Sequence, residues 1–288
     1  MFRYLNRIIE NEVREANLDF YSVIIGTKPS MGARSPKLWN KVYEYEEKKI
    51  RMVPLDVREE NLEELFKYLK EDKHCLGGAV AVPYKEKVYN LIKNNVKEEI
   101  RTISAVNCFY RPTPPSRFLV DAFTGTNTDG EAALDPIKKQ LVEGQNLNIG
   151  LLGYGGAGKA ILAYLLKDFK RKHKIHIFNR SPITIKDTKE NDVYSYSLDD
   201  LEDIIPDFDF LINATSIGHV ESIDKTPVPI KFLATAKNTM VVYDIIYDPL
   251  KTTLLKNREG IGLETINGLR MNLIQAVLAY SYTNPTNL

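Results

Sequence analysis

Apolar residues along this chain fall into short runs separated by stretches in which they recur every three or four positions, the pattern of strands alternating with helices. Tyr21–Gly26 is a β-rich run ending in glycine, and Lys49–Leu55 is a second, following a charged helical stretch. Asn61–Tyr68 has helical spacing, Gly77–Val82 reads as a small-residue strand, Tyr84–Ile92 as a helix and Ala105–Tyr110 as a strand. This order predicts a parallel or mixed α/β sheet in the first part of the chain. Ahead of it, MFRYLNRIIENEVREANLDF mixes charges into its apolar positions and reads as an amphipathic helix, neither signal peptide nor membrane span.

Three prolines in Arg111–Arg117 predict a loop, followed by the polar segment Gly125–Gly130 and a helix starting near Glu131. A second alternation begins at Leu147. Strands are expected at Leu147–Leu152, Ile175–Phe178, Phe210–Ala214 and Met240–Asp244, with helices at Gly156–Phe169 and around Leu198–Ile205. This is a Rossmann-like pattern. Gly268–Tyr280 is a helical tail that could return to the first domain. No internal repeat or low-complexity segment interrupts the chain.

Bulk properties narrow the function classes. With 288 residues, 43% hydrophobic and 27% charged, the chain has the profile of a globular protein able to bury a core. A formal net charge of +1 provides no field to gather nucleic acid or coat a membrane, so neither is expected as a partner. Cys75 and Cys108 allow one bridge at most and have no metal-ligand spacing, which suits a reducing cytoplasm. His74, His173, His176 and His219 are scattered, so no metal site is expected, and no serine nucleophile elbow is present.

The segment N-I-G-L-L-G-Y-G-G-A-G-K-A carries chemistry. Gly153, Gly155 and Gly158 fill the positions of G-x-G-x-x-G, with Gly156 between them, directly after an apolar strand and at the start of a helix. There the chain must turn tightly and let a pyrophosphate approach backbone N–H groups. Alanine after Gly158-Lys159 excludes a P-loop. The next strand ends in Asn179-Arg180-Ser181, where an NAD enzyme presents a carboxylate to the ribose. An arginine in that place can pair with a 2′-phosphate, so NADP is favoured over NAD.

Taken in order, the motifs resemble the shikimate dehydrogenase family from about Tyr21 to Ala276. G-G-A-V-A-V-P-Y-K (Gly77–Lys85) resembles the family's lysine motif, S-A-V-N (Ser104–Asn107) its asparagine strand, and G-T-N-T-D-G (Gly125–Gly130) its aspartate motif. The runs N-R-S at Asn179, I-N-A-T-S-I-G (Ile212–Gly218), Y-D-I-I-Y-D-P (Tyr243–Pro249) and G-L-R-M-N-L-I-Q-A (Gly268–Ala276) complete the series.

The resemblance implies a substrate domain over 1–125, a dinucleotide-binding Rossmann domain over 126–264, and a C-terminal helix over 265–288 packing on the first. It implies an NADP-preferring oxidoreductase of aromatic amino acid biosynthesis that interconverts a ring hydroxyl and a ketone, with shikimate and 3-dehydroshikimate the leading pair. The assembly implied is a monomer or homodimer. Lys85 and Asp129 are the implied catalytic pair. Ser35, Ala33, Ala81, Asn107, Tyr247 and Gln275 are implied at the substrate. Gly153, Tyr154, Gly155, Gly156, Ala157, Asn179, Arg180, Ser181, Thr215, Ser216, Ile245 and Gly268 are implied at the cofactor. Moving a hydride to or from a ring carbon requires a proton to join or leave the attached oxygen, so a titratable group must sit there. Asp129 beside Lys85 would hold the lysine charged, which suits a proton donor in the reduction direction. The plainer alternatives are a solvated lysine at a helix start and an N-capping aspartate.

The sequence departs from the family where it reads G-T-K-P-S-M-G-A-R-S-P. Ser35 aligns with one of two serines that clamp the substrate carboxylate, and Ala33 stands at the other. Ala79 and Ala81 replace an asparagine and a threonine. Hydrogen bonds to a charged group contribute about 1.5–3 kcal/mol each, so recognition of that end of the ring is expected to change. Ser30 or Arg34 could supply a replacement contact. Two other readings stay open: a same-fold dehydrogenase for quinate, an aminoshikimate-like compound or a secondary-metabolite intermediate, and a non-catalytic nucleotide-binding protein.

Overall fold

The first long apolar run becomes the middle of a sheet. In the computed structural model, which describes residues 2–15, 17–112, 123–143, 146–167, 173–183, 192–262 and 264–284, strand β1 (Phe20–Gly26) lies between β2 (Ile50–Asp56) and β3 (Cys75–Val80), parallel to both. Six of its seven residues are buried, as a strand covered on both faces requires. Strands β4 (Cys108–Tyr110) and β5 (Thr124–Thr126) extend the sheet antiparallel, in the order β2-β1-β3-β4-β5. The mixed sheet is as expected. Ala105 and Val106 fall outside β4, however, because the Val106 N–H bonds instead to the Lys85 carbonyl at 2.9 Å. Strand β5 is additional to the sequence reading, since Thr-Gly-Thr carries no apolar alternation.

Two features of this sheet follow from glycine. At Gly77, with φ +117°, a Cβ would lie 2.2 Å from the Phe109 carbonyl oxygen, and at Gly78 it would lie 1.8 Å from that of Val23. Only glycine allows this approach, and the β1–β3 register shifts here, between Tyr21 and Val23.

The amphipathic N-terminal helix is shorter than expected. Only Leu5–Ile8 is helical, although Phe2, Leu5, Ile8, Ile9 and Val13 are buried as the apolar pattern requires. Two asparagines compete with the helix by satisfying backbone groups through their side chains. Asn6 bonds both the N–H and the carbonyl of Val13, and Asn11 bonds the Asp56 N–H and the Pro54 carbonyl on strand β2.

The second alternation builds a six-stranded parallel sheet from β6 (Asn148–Leu152), β7 (Lys174–Asn179), β8 (Val193–Ser197), β9 (Phe210–Asn213), β10 (Val241–Asp244) and β11 (Thr265–Ile266). Its order is β11-β10-β9-β6-β7-β8, the doubly wound arrangement in which strand order reverses between β6 and β9. Strands β8 and β11 and the helix Thr253–Glu259 are additional to the sequence reading. The helix expected at Leu198–Ile205 is broken into a 3-10 turn capped by Ser197, the α-turn Leu201–Ile204 and a second 3-10 turn around Pro206. Residues 168–169, at the end of the expected Gly156–Phe169 helix, and 113–117 of the proline loop lie outside the described residues.

The chain divides into two units, Met1–Thr128 with Gln275–Leu288, and Asp129–Ile274. The first has a core of Ile24, Trp39, Tyr43, Met52 and Cys108 that also takes in Ala279 of the C-terminal helix Leu269–Thr283. Within this unit the helix is secured by the Trp39 indole N–H to the Ala276 carbonyl (3.0 Å) and by Tyr43 to Asn284 (2.9 Å). The second unit's core centres on Phe178, Phe208, Leu211 and Leu254.

Candidate active site

In the first unit, the carboxyl end of β3 leads through Ala81-Val82-Pro83-Tyr84 into the helix Lys85–Ile92, and Lys85 is its first residue, partly buried. The buried Tyr84 hydroxyl donates to the Val57 carbonyl at 2.8 Å and fixes the turn. Beside it, Val106 N–H bonds the Lys85 carbonyl, which sets Asn107 next to the start of that helix. Asn107 is buried and locked: its N–H bonds the Thr126 carbonyl, its side-chain amide donates to Thr128 Oγ1 (3.0 Å), and its Oδ1 accepts the Thr128 N–H (2.8 Å). Thr128 Oγ1 also reaches the Gln275 carbonyl at 3.2 Å. Asn127 donates to Ala105 at 3.0 Å. Thr128, whose peptide bond leads into Asp129, is therefore held by Asn107 and by the Gln275 carbonyl.

The loop after β1 carries the altered serine segment. Ser35, 7% exposed, is the first residue of the helix Ser35–Tyr45. Ser30, a candidate replacement contact, has both its N–H and its hydroxyl bonded to the buried Asp56 carboxylate, so its donors are already engaged. Ala79 lies in the apolar core beside Trp39 and Cys108, with 6% exposure. Ala33 and Ala81 are partly buried against the same cluster. Cys75 and Cys108 are buried thiols outside any disulfide, and burial pushes the Cys75 thiol up to about 12.

In the second unit, the Gly-rich turn joins β6 to the helix Gly156–Lys167, at the point where the sheet order reverses. Gly153 has φ +89°, and a Cβ there would meet the Thr215 methyl at 2.8 Å. At Gly158 it would meet the Gly153 carbonyl oxygen at 2.2 Å, so glycine lets the helix start tuck against the strand end. At Gly155 a Cβ would meet no protein atom within 4 Å. Tyr154, partly buried, and Ala157 flank these positions. Asn179 closes β7, followed by exposed Arg180 and Ser181, with no carboxylate among residues 179–183. This arrangement fits a phosphorylated dinucleotide: backbone open to an anion at a helix N-terminus, and a cation at the next strand end.

Loops after β9 and β10 complete this edge. Thr215 donates its N–H (3.0 Å) and its hydroxyl (2.7 Å) to Asn213 Oδ1, leaving Ser216 exposed. Ile245 N–H bonds the Asn213 carbonyl, and partly buried Tyr247 follows two residues on. Gly268 approaches Ile245 so closely that a Cβ would lie 1.8 Å from its carbonyl oxygen.

Comparison with known proteins now decides the family. A family model described as the shikimate dehydrogenase substrate binding domain matches residues 24–109. The shikimate dehydrogenase (NADP(+)) of Pyrococcus abyssi is 34% identical over 201 residues, 70% of this chain and 69% of that protein. The chain belongs to the shikimate dehydrogenase family. The Bacillus licheniformis protein of the same name is 31% identical over 78% of this chain and 77% of its own. The solved shikimate dehydrogenase of Aquifex aeolicus matches with a TM-score of 0.75 at 25% identity over 96% of each chain.

Within this shikimate dehydrogenase family member, the matched segment runs from β1 to β4 and includes Lys85 and Asn107. Sequence reasoning left Thr128, Asn213 and Asp244 without roles, yet their hydrogen bonds shape the loops just described. For Asn213 and Asp244 the signal was an Asn or Asp closing an apolar strand run, whereas Thr128 carried none. Among the described residues there is no cluster of His, Cys, Asp and Glu that could hold a metal, and no helix long and apolar enough to cross a membrane.

Proposed function

We propose that this family member interconverts shikimate and 3-dehydroshikimate with NADP as hydride partner, in the cytoplasm. The observation that supports this reading is the hydrogen-bonded frame joining the start of the Lys85 helix to Asn107 and to Thr128, the residue before Asp129. When bound, the nicotinamide takes or gives the hydride at the ring carbon. Lys85 gives its proton to the ketone oxygen on reduction and takes one back on oxidation. Asp129 keeps that ammonium in place and accepts a hydrogen bond from a neighbouring ring hydroxyl.

Asn107 and Gln275 hold ring hydroxyls, Tyr247 lies beside the ring, and Ser35 binds the carboxylate, with Ala33 and Ala81 contributing shape but no hydrogen bond. Cofactor contacts fall to Gly153, Tyr154, Gly155, Gly156 and Ala157 at the pyrophosphate, to Asn179, Arg180 and Ser181 at the adenosine phosphate, and to Thr215, Ser216, Ile245 and Gly268 toward the nicotinamide. The name shared by the relatives above, and the core position of Ala79, weigh against a repurposed substrate.

The test is NADPH formation from shikimate, with quinate as comparison and Lys85→Ala as control. The reading expects shikimate to be preferred and the variant to lose about 10²- to 10⁴-fold in kcat. Turnover of quinate alone would transfer the reading to another substrate. Activity indifferent to Lys85→Ala would remove the lysine from the chemistry.

A further inference from the structure

Asp244 closes β10 with no exposed surface, and three donors converge on it. Its Oδ1 accepts from the Asn213 side-chain amide (3.1 Å) and from the Ile246 N–H (3.0 Å), and its Oδ2 accepts the Thr252 hydroxyl (2.7 Å). A fully buried carboxylate is costly to keep charged, and here burial raises its pKa despite those three bonds. A neutral residue would serve a purely structural strand end as well, so the placement calls for a reason.

The bonds lead outward to each segment along this edge of the sheet. Asn213, oriented by Asp244, presents its Oδ1 to Thr215, whose hydroxyl in turn accepts the Ile217 N–H at 3.1 Å. The Thr215 methyl stands against Gly153 of the Gly-rich turn. On the other side, the Ile246 carbonyl accepts the Gly268 N–H at 3.0 Å, which sets the start of the C-terminal helix. In open doubly wound sheets, ligands bind outside the carboxyl ends of the strands at the reversal of strand order, the region these loops border.

We infer that Asp244 is a positioning residue for NADP: through Asn213 and Ile246 it holds the loops 214–217 and 245–246 in one register, so that they meet the cofactor together. This rests on the NADP reading above. The carboxylate touches no reacting atom and acts on the cofactor loops through Asn213, Thr215 and the 245–246 backbone, while its bond from Thr252 anchors the N-cap of the helix Thr253–Glu259.

The experiment compares wild type, Asp244→Ala, Asp244→Asn, Asn213→Ala and the Asp244→Ala/Asn213→Ala double variant. NADP Kd is measured by calorimetry, KM for NADP and shikimate and kcat by rate assay, and folding by thermal melt. Each alanine variant is expected to raise the Kd and KM for NADP at least tenfold, with KM for shikimate changed less than threefold. Asp244→Asn is expected to recover most of the loss, because its oxygen still serves Asn213 and Ile246 while its amide donates to Thr252 Oγ1. The double variant is expected to bind NADP no worse than the weaker single variant, since both cut one chain of bonds. Should Asp244→Ala fail to fold, Asn213→Ala and Asp244→Asn still decide. Unchanged NADP affinity in the folded alanine variants, or losses that multiply in the double variant, would overturn the inference. The wild-type Kd separates the failures: no NADP binding by wild type sinks the cofactor reading and this inference with it, whereas wild-type binding that survives the truncations overturns this inference alone.

Discussion

Gly155→Ala separates what the Gly-rich turn does for the fold from what it does for a ligand. An added methyl meets nothing of the protein within 4 Å. The substitution therefore has no internal clash, and by restricting the unfolded chain it should stabilise by about 0.4–1 kcal/mol. For a bound pyrophosphate the same methyl is in the way. A phosphate oxygen needs to come within about 2.9 Å of a backbone nitrogen, while carbon and oxygen rest at about 3.3–3.6 Å. Losing one charge-assisted bond costs about 1.5–3 kcal/mol, or about 10- to 150-fold in affinity. Calorimetric titration with NADP alongside thermal unfolding should show a Kd weakened at least tenfold and a Tm level with or slightly above wild type. Gly158→Ala is the contrast, because a methyl 2.2 Å from the Gly153 carbonyl oxygen forces backbone apart and should lower both affinity and Tm. If Gly155→Ala bound NADP as wild type does, the turn would not be holding the pyrophosphate. If its Tm fell as far as that of Gly158→Ala, the open geometry assigned to Gly155 would be wrong.

Other outcomes test separate links. Arg180→Ala should raise KM for NADP about 10- to 150-fold and leave KM for NAD unchanged, since only a 2′-phosphate engages the guanidinium; equal effects on both cofactors would show that Arg180 does not read that phosphate. Arg258, fully buried, donates to the carbonyls of Leu233, Lys237 and Met240 at 2.8–3.2 Å. Arg258→Met orphans all three, so a loss of at least about 3 kcal/mol is expected in urea titration, and a loss under ~1 kcal/mol would show that they find other partners. His176 is held below its usual pKa, first by burial and then by Lys174. Its contribution to stability is therefore complete above the unfolded value of about 6.5 and is lost as pH falls below that and through the lowered folded value. The Tm of wild type should drop more steeply from pH 7 to pH 5 than that of His176→Phe, which keeps the ring between Tyr194 and Tyr196; parallel curves would exclude the histidine as the source.

Most strands were legible because this fold buries them on both faces, so that Val23–Ile25 and Ile149–Leu152 appear as unbroken apolar runs. Elements held by polar atoms or by only a few residues were not. Strand β5 is Thr-Gly-Thr, and it pairs because Gly125 leaves room for Val106 and Ile92, whose side chains a Cβ would meet at 2.8 and 2.9 Å. Strand β11 is two residues long and forms only against β10. In the N-terminal segment the apolar pattern correctly marked the buried positions but could not reveal that Asn6 and Asn11 bond backbone groups and end the helix after one turn.

The candidate site divides along the same line. Glycines that a turn or close approach requires, Gly153 and Gly158 above all, stand out in sequence because no other residue fits the backbone there. Side chains that orient others leave a weaker trace. Asn107, Asn213 and Asp244 each end or adjoin a buried strand, where a polar group is costly unless bonded, and each is bonded to a loop on the carboxyl side of its sheet. The alanines show the limit of arguing from replaced polar residues: Ala79 and Ala81 look equivalent in sequence, yet the first is core and only the second is partly exposed. Ser30 shows the converse. It looked free to replace a lost contact, but Asp56, from a strand some 26 residues away, already engages it. Which polar groups remain available to a substrate is therefore a property of the folded hydrogen-bond network, and one a motif cannot contain, because the competing partner lies outside it.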